Sequence, residues 1–215
     1  MRLVFAIALV SGSMALAQPP KDPDLPKEIP ARFGIPPKVK AYPQDSAKKT
    51  LLSAIEAIEK GDTTYIVAHL LDPGFVEFRV ADRAKQFEAP AEIELSRLRD
   101  FQIRNPEKYP VADRLPTDRA KFAALIIERS REQAFKQLVR DVQSKLMDDP
   151  LSIKDLQKLL RDGMVTDTET GAKLTHADVK DKALYFRKID DRWFLENRQE
   201  DIPAPVVPPP KKEGM

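Results

Sequence analysis

YFRKIDDRWFLENR, residues 185–198, decides the fold. Read as a catalytic patch, Asp190 and Asp191 are an acid pair beside the single tryptophan, Trp193. Read as a hairpin, they are a two-residue connection, and a largely helical chain gains a sheet. KALYFRKI and RWFLENR alternate and are rich in aromatic and β-branched residues, as strands require. Asp tolerates positive φ better than most residues, so Asp-Asp can form the turn, although Asp-Gly would be the stronger signal. Carboxylates at a turn tip face water and cannot hold a dry substrate. The hairpin is the preferred reading, with Trp193 opening the return strand and packing into the core.

A second hairpin is expected just upstream, in MVTDTETGAKLT after Gly163, with turn residues from Asp167 to Gly171. DTETG faintly suggests calcium but lacks the alternating ligands and closing Glu of a helix–loop–helix site.

Before Gly163 the periodicity is helical. Ala47, Leu51, Leu52, Ala54, Ile55 and Ile58 recur on one face after a cap at Asp45 or Ser46, and Gly61 closes that helix. Asp62 caps a short second helix, TTYIVAHLL, which Asp72-Pro73-Gly74 stops. FVEFRVADRAKQFEAP fits either strand or helix, with helix preferred from Val76, Val80, Ala84 and Phe87. PAEIELSRLRDFQIRN reads as a helix with Leu95, Leu98 and Phe101 inward. NPEKYPVADRLP, 105–116, is a loop. The longest periodic segment, 117–147, carries Phe135, Leu138, Val139, Val142 and Leu146 as an amphipathic stripe. Upstream of the stripe, Phe122 to Ile127 is apolar all round and is expected to be buried on several sides. A continuous helix here is about 45 Å long, so it kinks, spans the domain or reaches a partner. A short helix, IKDLQKLLRDG, follows the break at DDPLS. The expected fold class is α+β, mainly helical, with a small C-terminal antiparallel sheet.

The flanks differ in composition. MRLVFAIALVSGSMALA, residues 1–17, has one charge, a short apolar run and a closing Ala-Leu-Ala, the pattern of a cleaved signal peptide. The run is too short for a membrane span, which needs about 20 apolar residues. The chain is expected to be exported, either periplasmic or secreted. Residues 18–43 hold eight of the 19 prolines and 203–210 hold five. Both read as extended arms, with Phe33 and Ile35 able to tie the first to the core. The division is thus signal peptide 1–17, arm 18–43, one α+β domain 44–200 and tail 201–215.

The chain has no cysteine, which excludes disulfides, thiol catalysis and cysteine–metal sites. Its seven glycines form no dinucleotide, phosphate-loop or nucleophile-elbow motif. Basic and acidic residues number 36 and 34 and alternate along helices, so no nucleic-acid partner is expected. His69 follows Tyr65 by four residues on one helix face, near Asp72, and His176 lies in the polar THADVKDK. Two histidines so far apart make a poor zinc set. No catalytic, metal or cofactor-binding residue is assigned, and no cofactor is expected.

AIEKGDTTYIVAHLLDPGFVEF (57–78) and YFRKIDDRWFLENR resemble the opening helices and final hairpin of nuclear-transport-factor-two-like proteins, the cystatin-like cone fold. The chain departs from that pattern in its helical middle, 90–163, and at Asp191, where glycine is usual. The resemblance implies a mixed α+β domain with a pocket, and transfers no catalytic residue.

Three functional readings are open. The leading one is a non-catalytic domain binding a protein or small ligand. The second is a scaffold whose long helix 117–147 pairs with a copy of itself or another chain. The third is a cofactor-free enzyme at a pocket near Tyr65 and His69, with Tyr185 and Trp193 as further candidate lining.

Overall fold

The computed structural model describes residues 29–148, 150–167, 171–179 and 183–198. The signal-peptide reading, residues 18–28 of the first arm, the tip of the 164–175 hairpin and the C-terminal tail lie outside the described residues. Helix α1 (Ala47–Glu59) starts at Ser46, whose hydroxyl accepts from Lys49 N. It ends at Gly61 in the left-handed region, with Asp62 N–H reaching back to Ala57 O, the bond pattern of a glycine-terminated helix. Asp62 then caps α2 (Thr63–Tyr65), which runs directly into one π-helical turn, Ile66–Leu70. Asp72-Pro73-Gly74 both ends that turn and begins α3 (Pro73–Arg104). The Asp72 carboxylate accepts from Gly74 N, and Pro73 stands at the first helical position, where its missing N–H costs nothing.

The ambiguous stretch 75–87 is helical, and it does not stop at Pro90. A single helix continues through that proline to Arg104. After a loop with one 3-10 turn (Val111–Asp113), α4 (Arg119–Asp148) returns antiparallel along α3. Helix α5 (Pro150–Asp162) follows, then β1 (Met164–Asp167), β2 (Gly171–Thr175), β3 (Leu184–Ile189) and β4 (Arg192–Leu195). The four strands form one antiparallel sheet in sequential order. The chain is therefore a mainly helical α+β protein.

The 185–198 stretch is a hairpin. Ile189 pairs with Arg192 and Lys188 with Trp193, and Asp190 and Asp191 take φ of 48° and 62°. Both central residues at positive φ match the right-handed twist of the flanking strands. Both aspartates are exposed.

The body of the protein is built on one sheet face. Leu51 and Ile55 of α1, Leu159 of α5, Ala172 and Leu174 of β2 and Phe186 of β3 form one apolar cluster, which Trp193 flanks. Gly163 permits the close α5–β1 turn, since an added Cβ there would sit 2.2 Å from Leu159 O. A second cluster gathers Tyr42, Ala54, Ala57, Tyr65, Ile66 and Leu70. A third joins the π-turn to the α3/α4 hairpin through Val67, Val76, Val80, Ala84, Ala134, Phe135 and Leu138. The predicted stripe on the long helix thus finds its partner within the same chain.

The residues from Arg32 to Tyr42 are folded onto this body. Phe33 stacks on Phe135 with ring centroids 4.3 Å apart, and Arg32 donates to Ala68 O at 2.6 Å. Phe33 holds φ of 51°, a costly conformation for a bulky residue that the stacking fixes in place.

Two burial expectations fail, for one reason. Leu98 and Phe101 are 42% and 49% exposed rather than inward. In the apolar run 122–127, Phe122 is buried, yet Ile127 is 55% exposed. Far from the body, among the described residues, each helix is covered by the other and, at its far end, by the 105–116 loop, so one stripe per helix can be buried. Small residues line much of that stripe: Ala84, Ala91, Ser130 and Ala134 are all buried.

Candidate functional site

The structure separates the four residues singled out by sequence. Tyr65 and His69 are neighbours in the interior, with ring centroids 4.9 Å apart, and Tyr42 lies 4.6 Å from Tyr65. The Tyr65 hydroxyl accepts from Lys38 N at 3.1 Å, and burial raises its pKa. His69 is 1% exposed. Its Nε2 lies 2.8 Å from Ile35 O, so Nε2 carries the proton and donates, which leaves Nδ1 a buried acceptor without a partner. Burial lowers the His69 pKa, with the charges of Arg192, Arg32 and Lys38 acting the same way against the bond to Ile35. The imidazole is therefore neutral. The Asp72 carboxylate is engaged elsewhere, by Gly74 N at 2.7 Å and Arg187 Nη1 at 3.4 Å.

Trp193 meets this group through its backbone. Gln44, itself buried, donates from Nε2 to His69 O at 2.9 Å and Trp193 O at 2.8 Å, while Trp193 N–H donates to Gln44 O at 2.8 Å. Arg192 donates to the Gln44 side-chain oxygen. Gln44 thus clamps the π-turn to β4, a role with no periodic or motif signal. Tyr185 lies apart, with the Arg198 guanidinium 4.2 Å from its ring centroid.

A cleft of about 710 Å³ opens elsewhere, between the proximal halves of α3 and α4 and the end of β4. None of Tyr65, His69, Tyr185 or Trp193 lines it. Phe75, Arg79 and Arg83 recur every fourth residue on α3 and present one stripe to it. Leu138, Asp141, Val142, Lys145 and Leu146 do so on α4, at i, i+3, i+4, i+7 and i+8. Leu71 adds to the apolar floor, and Glu196 and Asn197 close the end. The rim is charged. Arg83 Nη1 lies 2.5 Å from Asp141 Oδ2. A bond from Gln137 holds the Asp141 carboxyl below its ordinary value, with Arg83 and Lys145 adding to the effect, so Asp141 is ionised. Glu196 is paired with Arg198 at 2.9 Å.

Among the described residues no group of three His, Asp or Glu side chains could hold a metal ion, and no helix is long and apolar enough to cross a membrane. No family model, curated protein or solved structure matches this chain.

The cleft was missed in the sequence because its walls come from segments about sixty residues apart. Its α4 wall was visible in the predicted stripe, which includes Leu138, Val142 and Leu146. The arginines at 79 and 83 edging an apolar flank were the signal that could have marked the other wall.

Proposed function

We propose that this chain is an exported, non-catalytic domain that binds a small ligand in the α3/α4/β4 cleft. The observation that carries the reading is the cleft itself: five apolar side chains at its base, charged groups at its rim, and a volume within the usual range for ligand sites, roughly 300–1,000 Å³. The polar groups at Tyr65 and His69 favour a structural role. They are buried and bonded to backbone, and neither lines the cleft, which weighs against the enzyme reading. Intrachain packing of the long helix weighs against its serving chiefly as a scaffold. Export rests on the leader pattern of residues 1–17. The resemblance to the cone fold is compatible with this reading, since its two stretches meet where Asp72 N–H donates to Leu195 O at 2.8 Å.

A neutral environment-sensitive dye, N-phenyl-1-naphthylamine, tests the site. Saturable fluorescence enhancement at one dye per chain, abolished by Val142→Trp with circular dichroism and Tm retained, is the expected result. Equal enhancement in Val142→Trp would remove the cleft from consideration.

A further inference from the structure

We infer that the cleft ligand is an amphipathic monoanion, a carboxylate on an extended apolar chain; this rests on the cleft being the binding site. The charges decide the head group. Two of the charged groups lining the cleft are already balanced by partners, Asp141 by Arg83 and Glu196 by Arg198, which leaves Arg79 and Lys145 as its net positive charge. One carboxylate has two oxygens to share between these cations, whereas a polyanion would bring further negative charge against Asp141 and Glu196. The pairing points to where the charge goes. Arg83 is held by Asp141 and Glu196 by Arg198. Arg79 and Lys145 have no carboxylate within ion-pair distance among the described residues. The planar guanidinium of Arg79 matches a carboxylate with two parallel bonds, and Lys145 supplies a point charge.

The floor decides the body of the ligand. Leu71, Phe75, Leu138, Val142 and Leu146 form a continuous apolar base with no hydrogen-bond donor on their side chains. An aliphatic chain needs none, while a sugar or nucleoside would bury hydroxyls without partners. A bare inorganic anion would leave the floor empty.

Displacement of the dye from the full chain, below micellar concentrations, tests the inference. Dodecanoate should displace at a concentration about tenfold lower than methyl dodecanoate or dodecyltrimethylammonium, since hydrogen bonds to charged groups exceed neutral ones by that order. Acetate should fail to displace. Arg79→Gln should erase the preference for the carboxylate over its ester, and Lys145→Gln should reduce it. Added salt should narrow the preference. Equal displacement by acid and ester, with dye binding still lost in Val142→Trp, would sink the monoanion and leave the cleft standing. Dye binding that survives Val142→Trp would sink both. Stronger displacement by the peptide Glu-Asp-Ile-Pro-Ala-Pro-Val-Val, the sequence of residues 200–207, would mean that the cleft takes a chain segment, and would overturn the inference.

Discussion

The body and the far half of the α3/α4 hairpin hold themselves together by different means. In the body, side chains from α1, α5 and the sheet meet on several sides, and Leu51, Leu174 and Phe186 are fully buried. Its polar groups are also interior: Gln44 ties the π-turn to β4, and Thr50 Oγ1 donates to Trp193 O at 3.2 Å. In the far hairpin each helix buries one stripe, and its long-range polar contacts are mostly at the surface. Arg129 reaches Glu94 at 2.7 Å, and Arg99 lies over the Phe122 ring at 4.2 Å. A leucine is therefore worth much more in one region than in the other, and so is a glutamine. The cleft lies where the two regimes meet, with apolar packing below and unpaired charge above.

The sharpest test is a matched pair of truncations. Leu51→Ala should cost about 3–4 kcal/mol, because it opens a cavity in a fully enclosed site, whereas Leu98→Ala should cost under about 1 kcal/mol. Urea unfolding with unchanged m-values measures both. Equal losses would mean that the hairpin is covered by something beyond α3 and α4.

The next pair compares buried amides. Gln44→Ala removes the bonds to His69 O and Trp193 O and should cost about 2–3 kcal/mol, since His69 O loses its side-chain donor while Trp193 O keeps only that of Thr50. Gln102, also buried, accepts one bond, from Leu115 N at 2.8 Å. Its change to Ala should cost about 1 kcal/mol by the same measurement.

This contrast also explains what could be read from the chain. Periodicity marked the core face of α1, the stripe on α4 and the hairpin at Asp190-Asp191, because each is a local pattern whose partner needs only to be apolar. It misplaced Leu98, Phe101 and Ile127, because the pattern shows how much of a helix is apolar and not how many neighbours arrive to cover it. It missed Gln44, whose partners lie 25 and 149 positions away. Asp72-Pro73-Gly74 was read as a stop when it is also a start, since the features that end one helix here cap the next. Tyr65 and His69 were correctly placed on one face. That they sit deep in the body, away from the cleft, depends on how residues 32–44 fold above them, and proline content marked 18–43 only as an extended arm that Phe33 and Ile35 could tie to the core.

Pro90 tests the far hairpin from within. It is exposed inside α3 and removes one backbone bond from the ladder. Pro90→Ala should stabilise the chain by about 1–2 kcal/mol, less than the ~3 kcal/mol difference in helix propensity because proline also restricts the unfolded state. The expected signature is a raised Tm with slower amide exchange around residues 86–94. Destabilisation would show that the proline is what lets α3 follow α4.

The smallest effect belongs to the surface pair of the hairpin. Arg129 bonds Glu94 across the helices at 2.7 Å and Glu132 along its own helix at 2.8 Å, and all three side chains are about a third to half exposed. In water at that exposure, attraction is nearly cancelled by desolvation and by the entropy of holding long side chains. A double-mutant cycle of Arg129→Ala with Glu94→Ala should give a coupling of about 0.5 kcal/mol, falling to near zero in about 1 M salt. A coupling several times larger that persists in salt would place the pair in a drier setting than two helices can provide. It would then be evidence that another surface covers the hairpin, and the division between body and hairpin drawn from Leu51 and Leu98 would have to be redrawn with that surface included.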